Sequence, residues 1–432
     1  MVKKVGVAIL GLGVVGGGTY QTLVEHREFY AKTQRVDVSV EMVLDKSKER
    51  LDALNVPEAC RAGSIEEVLA NPNVDIVVET IGGVGAAKAF VTAALRDGKT
   101  VVTSNKELIC KHSHELEEIA KRTGCGLFYE ASCVGGVPII RTLLDGMQAN
   151  KIQKMMGIVN GTTNYILTKM TQEGADYAET LKEAQRLGYA EFDPTNDVEG
   201  FDSTYKLSIL SSMAFHTKVP YTNIFREGIS KIDGVDIAYG KELGYALKLL
   251  AIGKNEEKGI EVRVHPTFVP VSHPLASVND SFNAVYLVGD AVGDIMLYGR
   301  GAGALPTASA VVSDVIYAAT HSEIKYSTFK NKEKADRGVK FISDFTSAYY
   351  IRLSVDDKAG VLAKISSIFA KFGMSIVEIA QKGKSEIVED GTPRVPLVVI
   401  THKTTENKVK NAVEKLNAAG VGEVKAVIRV EE

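Results

Sequence analysis

The sequence predicts an α/β protein with three parts: a Rossmann-type doubly wound parallel sheet, an α+β domain and a C-terminal ferredoxin-like domain. Three observations support this prediction. Short apolar runs alternate with helical segments in the first third of the chain, as in parallel sheets. A glycine-rich turn directly follows the first of these runs. The end of the chain has its own strand-helix-strand-strand-helix-strand order, which is typical of the ferredoxin-like fold.

Length and composition narrow the class of protein. A chain of 432 residues is too long for one hydrophobic core, so we expect two or three domains. With 51 basic against 54 acidic residues and no long basic run, nothing indicates a nucleic acid or a membrane surface as partner. The four cysteines show no Cys-x-x-Cys spacing, which favours reduced thiols and a cytoplasmic location.

The first predicted strand leads into a dinucleotide-binding motif. Val5 to Leu10 is an unbroken apolar run, and it ends at Gly11-Leu12-Gly13-Val14-Val15-Gly16, after which a helix begins. Such glycines allow a tight turn and close approach of the backbone to a pyrophosphate at the helix start. The alternative is a plain strand-to-helix turn.

Further elements continue the alternation. The predicted strands are Val38 to Leu44, Val74 to Glu79, Thr100 to Thr103 and Gly126 to Glu130, with helices at Ile65 to Ala70, Ala86 to Asp97 and Ser113 to Arg122. The second strand ends at Asp45, which could bind the ribose of NAD. Because Lys46, Lys48 and Arg50 follow and could hold a 2′-phosphate, the choice between NAD and NADP stays open.

Other cofactor contacts are expected where strands end. Thr80, Ser104 and Lys106 follow two predicted strands, at the carboxyl edge where open α/β sheets bind ligands. A second glycine-rich turn, Gly299 to Thr307 with Gly303 at its centre, precedes a predicted helix, Ala308 to Ala319. We expect this segment, within residues 300–325, to return to the dinucleotide-binding domain of residues 1–135 and to close over the cofactor; a linker is the alternative.

The middle domain, residues 136–299, contains an unusual charged cluster. Residues 189–206 crowd five carboxylates and a lysine ahead of the uncharged stretch Leu207 to Phe215. A helix from about Val198 through Ala214 would be interior in its second half. Asp202 and Lys206 would then lie at i and i+4 on one face, where each could tune the pKa of the other.

Other elements of this domain are less distinctive. The sequence predicts strands at Lys154 to Val159, Glu261 to Val269 and Ala284 to Val288, a loop at Asn160 to Asn164 and a helix at Tyr165 to Gln172. A polar linker is expected at residues 326–346. The C-terminal domain, 347–432, is predicted to have strands at Ala348 to Val355, Ser375 to Gln381, Val395 to His402 and Gly422 to Val430, with helices at Gly360 to Phe372 and Asn407 to Ala418.

The chain resembles the bacterial homoserine dehydrogenases over essentially its whole length. The resemblance rests on the order of several motifs: Gly-Leu-Gly-Val-Val-Gly, Ser-Asn-Lys-Glu-Leu, Glu-Ala-Ser-x-x-Gly-Gly, Asn-Gly-Thr-Thr-Asn-Tyr-Ile-Leu, Asp-Pro-x-x-Asp-x-x-Gly-x-Asp-x-x-x-Lys and Gly-Ala-Gly-x-x-Pro-Thr. The C-terminal domain, with Asp357 to Leu362, resembles an amino-acid-binding ACT domain.

The resemblance implies an NAD(P)-dependent interconversion of L-homoserine and L-aspartate 4-semialdehyde, in threonine, methionine and isoleucine biosynthesis. It implies feedback control through the ACT domain by an amino acid such as L-threonine, and a homodimer or homotetramer. It further implies that Lys206 is the acid/base lysine, that Lys106 supports the reacting oxygen and that Asp202 orients the lysines. The implied substrate-binding residues are Glu191, Asp197, Tyr189, Gly161 and Thr162.

A sodium ion is also implied by the resemblance, bound through Glu130 and the carbonyl groups of Cys133, Gly135 and Val137. Two alternatives to the leading function stay open. One is a dehydrogenase for another amino or hydroxy acid, and the other is a non-catalytic Rossmann-ACT sensor of amino acids. The sensor would leave Lys106 and the cluster from Glu191 to Lys206 without a role.

Overall fold

The computed structural model describes residues 2–321, 338–383, 385–387, 391 and 393–431. The first part of the chain forms a five-stranded parallel sheet in the order β2-β1-β3-β4-β5, which confirms the predicted Rossmann-type fold. Its elements are β1 (Lys3–Leu10), α1 (Val14–Glu25), α2 (Arg27–Thr33), β2 (Val36–Leu44), α3 (Lys48–Ala53), α4 (Ile65–Ala70), β3 (Ile76–Glu79), α5 (Gly85–Arg96), β4 (Thr100–Thr103), α6 (Lys106–Thr123) and β5 (Leu127–Phe128).

The middle of the chain is α+β. Its elements are α7 (Ile139–Arg141), β6 (Ile152–Ile158), α8 (Gly161–Glu173), α9 (Tyr177–Arg186), α10 (Thr195–Val198), α11 (Phe201–Ala214), β7 (Phe225–Arg226), α12 (Gly234–Glu242), β8 (Tyr245–Glu256), β9 (Gly259–Pro270), β10 (Phe282–Gly289), β11 (Gly293–Arg300) and α13 (Ala304–Thr320). Helix α11 packs on β8 and β9, and every residue from Leu207 to Phe215 is buried, which confirms an interior helix.

The C-terminal part has the predicted βαββαβ order, with two extra short strands. Its elements are β12 (Thr346–Asp356), α14 (Val361–Lys371), β13 (Ile376–Gln381), β14 (Glu386–Ile387), β15 (Pro393–Thr401), β16 (Thr404–Thr405), α15 (Glu406–Ala418) and β17 (Gly422–Val430). Residues 326–337 of the predicted linker lie outside the described residues. Among the helices of the described ranges, none is long and apolar enough to cross a membrane.

The sheets of the middle and C-terminal parts are continuous. Strand β17 pairs in parallel with β9, placing Arg429 opposite Thr267 and Val430 opposite Phe268. Together they form a 12-stranded sheet whose main path is β11-β10-β6-β8-β9-β17-β12-β15-β13. The sequence did not indicate this junction, because backbone pairing between two separately folded sheets has no local sequence pattern.

Several predicted boundaries were wrong, and most errors are at helix starts. Helix α6 begins at Lys106 instead of Ser113, and α8 begins at Gly161, where a loop was predicted. In both cases an asparagine caps the helix: Asn105 accepts from the Leu108 N–H and Asn160 from the Thr163 N–H. Helix α13 begins at Ala304, four residues earlier than predicted.

The predicted helix from Val198 is divided by Gly200. This residue has a φ of +77°, the left-handed region that only glycine adopts without strain, so α10 ends at Val198 and α11 begins at Phe201. Three strands of the middle part, β7, β8 and β11, were not predicted. The prediction of Asp202 and Lys206 on one helix face is unaffected, because both residues lie within α11.

Helix α13 packs closely against α1. A Cβ atom added at Gly18 would lie 2.7 Å from the carbonyl oxygen of Ala304, whereas one added at Gly17 would have no neighbour nearer than 3.6 Å. The backbones of the two helices therefore approach each other at Gly18.

Gly18→Ala is expected to destabilise the protein by about 1–3 kcal/mol, because the added methyl group overpacks this contact. Gly17→Ala, in the same helix, is the control and is expected to be neutral or to stabilise by up to about 1 kcal/mol through helix propensity. Denaturant unfolding measures both. Equal effects of the two variants would contradict the close packing of α1 on α13.

Candidate functional site

A cavity of about 560 Å³ lies between the glycine-rich start of α1 and the charged start of α11. The structure brings all eight predicted substrate-binding and catalytic residues together at this cavity. The predicted residues that line it are Val14, Val15, Ser104, Lys106, Gly135, Gly161, Thr162, Tyr189, Glu191, Asp197, Asp202, Lys206 and Gly303. The other predicted residues do not line it.

The carboxylate of Asp202 connects the two lysines at this cavity. Its Oδ1 lies 2.8 Å from Lys106 Nζ, and its Oδ2 accepts a hydrogen bond from Lys206 Nζ at 2.7 Å. Lys206 also donates to the carbonyl oxygen of Val159 at 2.7 Å. Since an ammonium group has three N–H donors, Lys206 keeps one for a ligand in the cavity that it lines.

Pairing of opposite charges sets the protonation states of Asp202 and Lys106. Burial alone would raise the pKa of Asp202, but the nearby Lys106 and Lys206 ammonium groups lower it well below the usual range. Asp202 in turn raises the pKa of Lys106, against the lowering effect of burial. Burial and the neighbouring Asp202 raise the pKa of Asp197. Asp202 is therefore ionised and Lys106 protonated at neutral pH.

Asn160 holds the two carboxylates in place, and sequence reasoning missed it. Its Nδ2 donates to Asp197 Oδ1 at 2.7 Å and to Asp202 Oδ2 at 2.9 Å. Its Oδ1 accepts from the N–H of Thr163 at 2.9 Å, as the cap of α8. The available signal was an asparagine preceding Gly-Thr-Thr, a pattern that favours a helix start.

Hydrogen bonds hold the loop that carries the predicted substrate-binding residues Tyr189 and Glu191. Thr162 Oγ1 donates to the carbonyl oxygen of Tyr189 at 2.5 Å, which ties the start of α8 to the loop before α10. Gln185 Nε2 donates to the carbonyl oxygen of Glu191 at 3.1 Å and braces the same loop. Gly161 faces a further lining residue, Ser281, whose carbonyl oxygen would lie 2.8 Å from an added Cβ.

The three glycines of the first motif differ in backbone conformation and in the space around them. Gly11 has a φ of +92°, which turns the chain at the end of β1. A Cβ at Gly16 would lie 1.8 Å from the Gly11 carbonyl oxygen, whereas one at Gly13 would have no neighbour within 4 Å. The backbone at Gly13 is therefore open to a ligand, which fits a pyrophosphate at the start of α1.

Asp45 and Thr80 support this glycine-rich turn from outside the cavity. Asp45 Oδ2 accepts from the Leu12 N–H at 2.5 Å, and Thr80 Oγ1 donates to the Gly11 carbonyl oxygen at 2.8 Å. Buried Glu79 accepts from the hydroxyl of Thr103 at 2.6 Å and from the Ile81 N–H at 2.8 Å. These contacts fix the ends of β1, β2, β3 and β4 relative to one another.

The late glycine-rich turn forms the opposite rim. Gly303 has a φ of +120° and precedes α13. Arg300 and Gly301 also line the cavity, although neither was a predicted site residue. A Cβ at Gly135 would lie 2.3 Å from the Gly301 carbonyl oxygen, so this rim contacts the segment that follows Glu130.

Glu130 is a buried carboxyl group next to that segment. It accepts from the backbone N–H groups of Ile140 at 2.8 Å and Arg141 at 2.7 Å. Burial first, and then the nearby Asp314, raise the pKa of Glu130 to about 7. No cluster of three or more His, Cys, Asp or Glu suited to a metal exists in the described parts of the chain.

Family models match along most of the chain. Residues 11–130 match the model for the NAD binding domain of homoserine dehydrogenase, residues 138–316 match the homoserine dehydrogenase model and residues 349–421 match the ACT domain model. The first two matches together contain every residue that lines the cavity except those of the segment 131–135.

Proteins similar to this chain are homoserine dehydrogenases by name. A homoserine dehydrogenase from Bacillus subtilis is 41% identical, with 99% of each chain covered. The crystal structure of a homoserine dehydrogenase from Thiobacillus denitrificans is 38% identical, with a TM-score of 0.92, and covers 100% of this chain and 99% of its own. A hyperthermophilic archaeal homoserine dehydrogenase in complex with NADPH is 28% identical, with a TM-score of 0.61, and covers 73% of this chain and 97% of its own. The full-length identity and the three domain matches show that this chain belongs to the homoserine dehydrogenase family.

Proposed function

We propose that this chain interconverts L-homoserine and L-aspartate 4-semialdehyde in the cavity around Asp202. The observation that carries the proposal is a pair of lysines held by one buried carboxylate, beside a glycine-rich helix start that is open to a dinucleotide. A bound nicotinamide would supply a hydride to the aldehyde carbon or accept one from the alcohol carbon. The two lysines act on the oxygen of that same carbon.

Lys206 would serve as the acid/base group. During aldehyde reduction negative charge develops on the oxygen, and the free N–H of Lys206 can donate a proton to it. Lys106, whose side chain is 43% exposed toward the cavity, would stabilise the same oxygen by a second charged hydrogen bond. Asp202 and the Val159 carbonyl group fix the direction of the Lys206 side chain.

Two further carboxylates of the cavity would bind the amino group of the substrate. Glu191 and Asp197 both line it, and an α-ammonium group can pair with either. Gly161, Thr162 and Tyr189 would line the cavity beside the substrate. The ammonium group of the four-carbon substrate would then lie at these carboxylates and its reacting oxygen at the lysines.

We also propose a sodium ion bound through Glu130 and the carbonyl groups of Cys133, Gly135 and Val137. An all-oxygen donor set suits a hard cation. Support comes from the buried Glu130 carboxylate, whose burial without a cation is unfavourable when it is ionised. The ion would hold the segment that lies against Gly301 at the cavity rim.

Regulation and assembly are further proposals. An amino acid such as L-threonine would bind the ACT domain, where Gly360, with a φ of +87°, directly precedes α14. A homodimer or homotetramer is supported by the edge strand β11, which exposes Met296 and Tyr298 and has one open side. The four free cysteines support a cytoplasmic location.

Lys206→Met is expected to lower kcat about 10²- to 10⁴-fold, because it removes the proton donor while keeping a side chain of similar length. Absorbance at 340 nm with L-homoserine, and with either NAD or NADP, measures the rate and also shows which cofactor is used. Lys169→Ala is the control, since it breaks an exposed i,i+4 ion pair with Glu173 outside the cavity. No signal in the wild-type protein in either direction would support the sensor instead.

Asp202→Asn is expected to shift the alkaline limit of aldehyde reduction to lower pH. Lys106 must stay protonated to stabilise the oxygen, and Asp202 is the main group that raises its pKa above 10.5. Without that charge, burial lowers the pKa of Lys106, so activity should fall at a pH lower by about one unit or more. A pH profile of kcat measures the limit. Identical limits in variant and wild type would contradict the pairing.

Sodium is expected to stabilise the protein more at pH 8 than at pH 5.5. A carboxyl group whose pKa is raised from 4.5 to about 7 by burial destabilises the fold increasingly as pH rises through that range, and a bound cation offsets this cost. Replacing Na⁺ by choline at pH 8 should lower Tm by about 2 °C or more. Glu130→Gln should abolish the difference. A sodium effect that persists in this variant would place the ion elsewhere.

A further inference from the structure

The turn that starts the Asp202 helix is held by the segment of residues 225–229. Arg226 Nη1 donates to the carbonyl oxygen of Glu199 at 2.6 Å, and its guanidinium carbon lies 3.4 Å from the ring centre of Phe201. The N–H of Ile229 donates to the carbonyl oxygen of Val198 at 2.8 Å. These contacts surround Gly200, which lies between α10 and α11.

The same segment is fixed to β9. Strand β7 pairs in parallel with β9, and the N–H of Glu227 donates to the carbonyl oxygen of Val264 at 2.8 Å. A Cβ added at Gly200 would lie 3.3 Å from a methyl group of Val264. The start of α11 therefore rests on both β7 and β9.

The ACT domain reaches this segment through one buried arginine on β17. The Arg429 guanidinium, whose side chain is 6% exposed, pairs with Glu227 of the catalytic part and with Glu406 of the ACT domain, the latter at 2.5 Å. Its guanidinium carbon lies 5.0 Å from the ring centre of Phe225. Burial of this cation requires its carboxylate partners, so the position of Arg429 and that of Glu227 depend on each other.

We propose that Arg429 and Glu227 are positioning residues, which connect β17 of the ACT domain to the start of the helix that carries Asp202 and Lys206. A shift of β17 moves Glu227, and with it Arg226 and the turn at Gly200. Asp202 lies two residues beyond that turn, so its distance to Lys106 changes. This inference rests on the roles of Asp202 and the lysines under the proposed function.

A double-mutant cycle tests the connection. Glu227→Gln, Arg429→Gln and the double variant are compared with wild type in the full-length protein, and kcat is expressed per cofactor-binding site, titrated by NAD(P)H fluorescence. Glu227→Gln is expected to lower kcat about two- to thirtyfold, with an unchanged KM for the cofactor. The kcat of the double variant is expected to be no lower than that of the more impaired single variant, because both changes break the same contact between Arg429 and Glu227.

Glu423→Gln is the matched control. Glu423 also lies on β17 and pairs with a lysine, Lys425, at 2.5 Å, but this pair is exposed and away from α11. Its kcat should equal that of wild type. Since Glu227 is 38% exposed, Glu227→Gln is expected to fold, and a melting curve checks this.

Three results would overturn the inference: a wild-type kcat in Glu227→Gln, losses that multiply in the double variant, or an equal loss in Glu423→Gln. A failure of the proposed function is distinguishable from these results. If Lys206→Met keeps full activity, the site assignment itself is wrong. If Lys206→Met is inactive while Glu227→Gln is unchanged, only the connection to β17 fails.

Discussion

The geometry of the site depends on one buried carboxylate that pairs with two ammonium groups. Asp202 is 3% exposed and Lys206 is 8% exposed, and each would be costly to bury alone. Because Lys106, Lys206 and Asp202 compensate one another, and Asp197 lies beside them, the charges of this group balance. Neither lysine can therefore leave Asp202 without removing part of its charge compensation, which keeps both lysines at the cavity.

Three separate helix starts meet at this charge cluster. Lys106 is the first residue of α6, Asn160 caps α8 and Asp202 lies in the first turn of α11. Helix starts are favourable places for negative charge, since their N–H groups and dipole point toward it. The Rossmann part contributes one of these helices and the α+β part contributes two, so the charge cluster joins the two parts at the site.

Local sequence patterns predicted the alternating strands, the glycine-rich motif, the interior helix and the pairing of Asp202 with Lys206. They predicted the structure poorly where it depends on contacts between residues that are far apart in the sequence. The asparagine caps at Asn105 and Asn160 had a recognisable signal that was not used, whereas the pairing of β17 with β9 had none. The contact of Lys106 with Asp202 could not follow from spacing either, because 95 intervening positions say nothing about which helix faces which. The resemblance to a family indicated Lys106 and Asp202 as site residues, and the structure gives the distance between them.

The continuous 12-stranded sheet limits how freely the ACT domain can be exchanged. A regulatory module attached only by a linker could be replaced by another without changing its host. Here a transplanted module would have to supply a strand that pairs with β9 in the same register, an arginine where Arg429 lies and a carboxylate for buried Arg263, which now pairs with Glu431. Exchanging this domain therefore means redesigning the junction between two sheets. Removing it would leave an open edge on β9 and would take from buried Arg263 one of its two carboxylate partners, Glu431, while Glu261 stays.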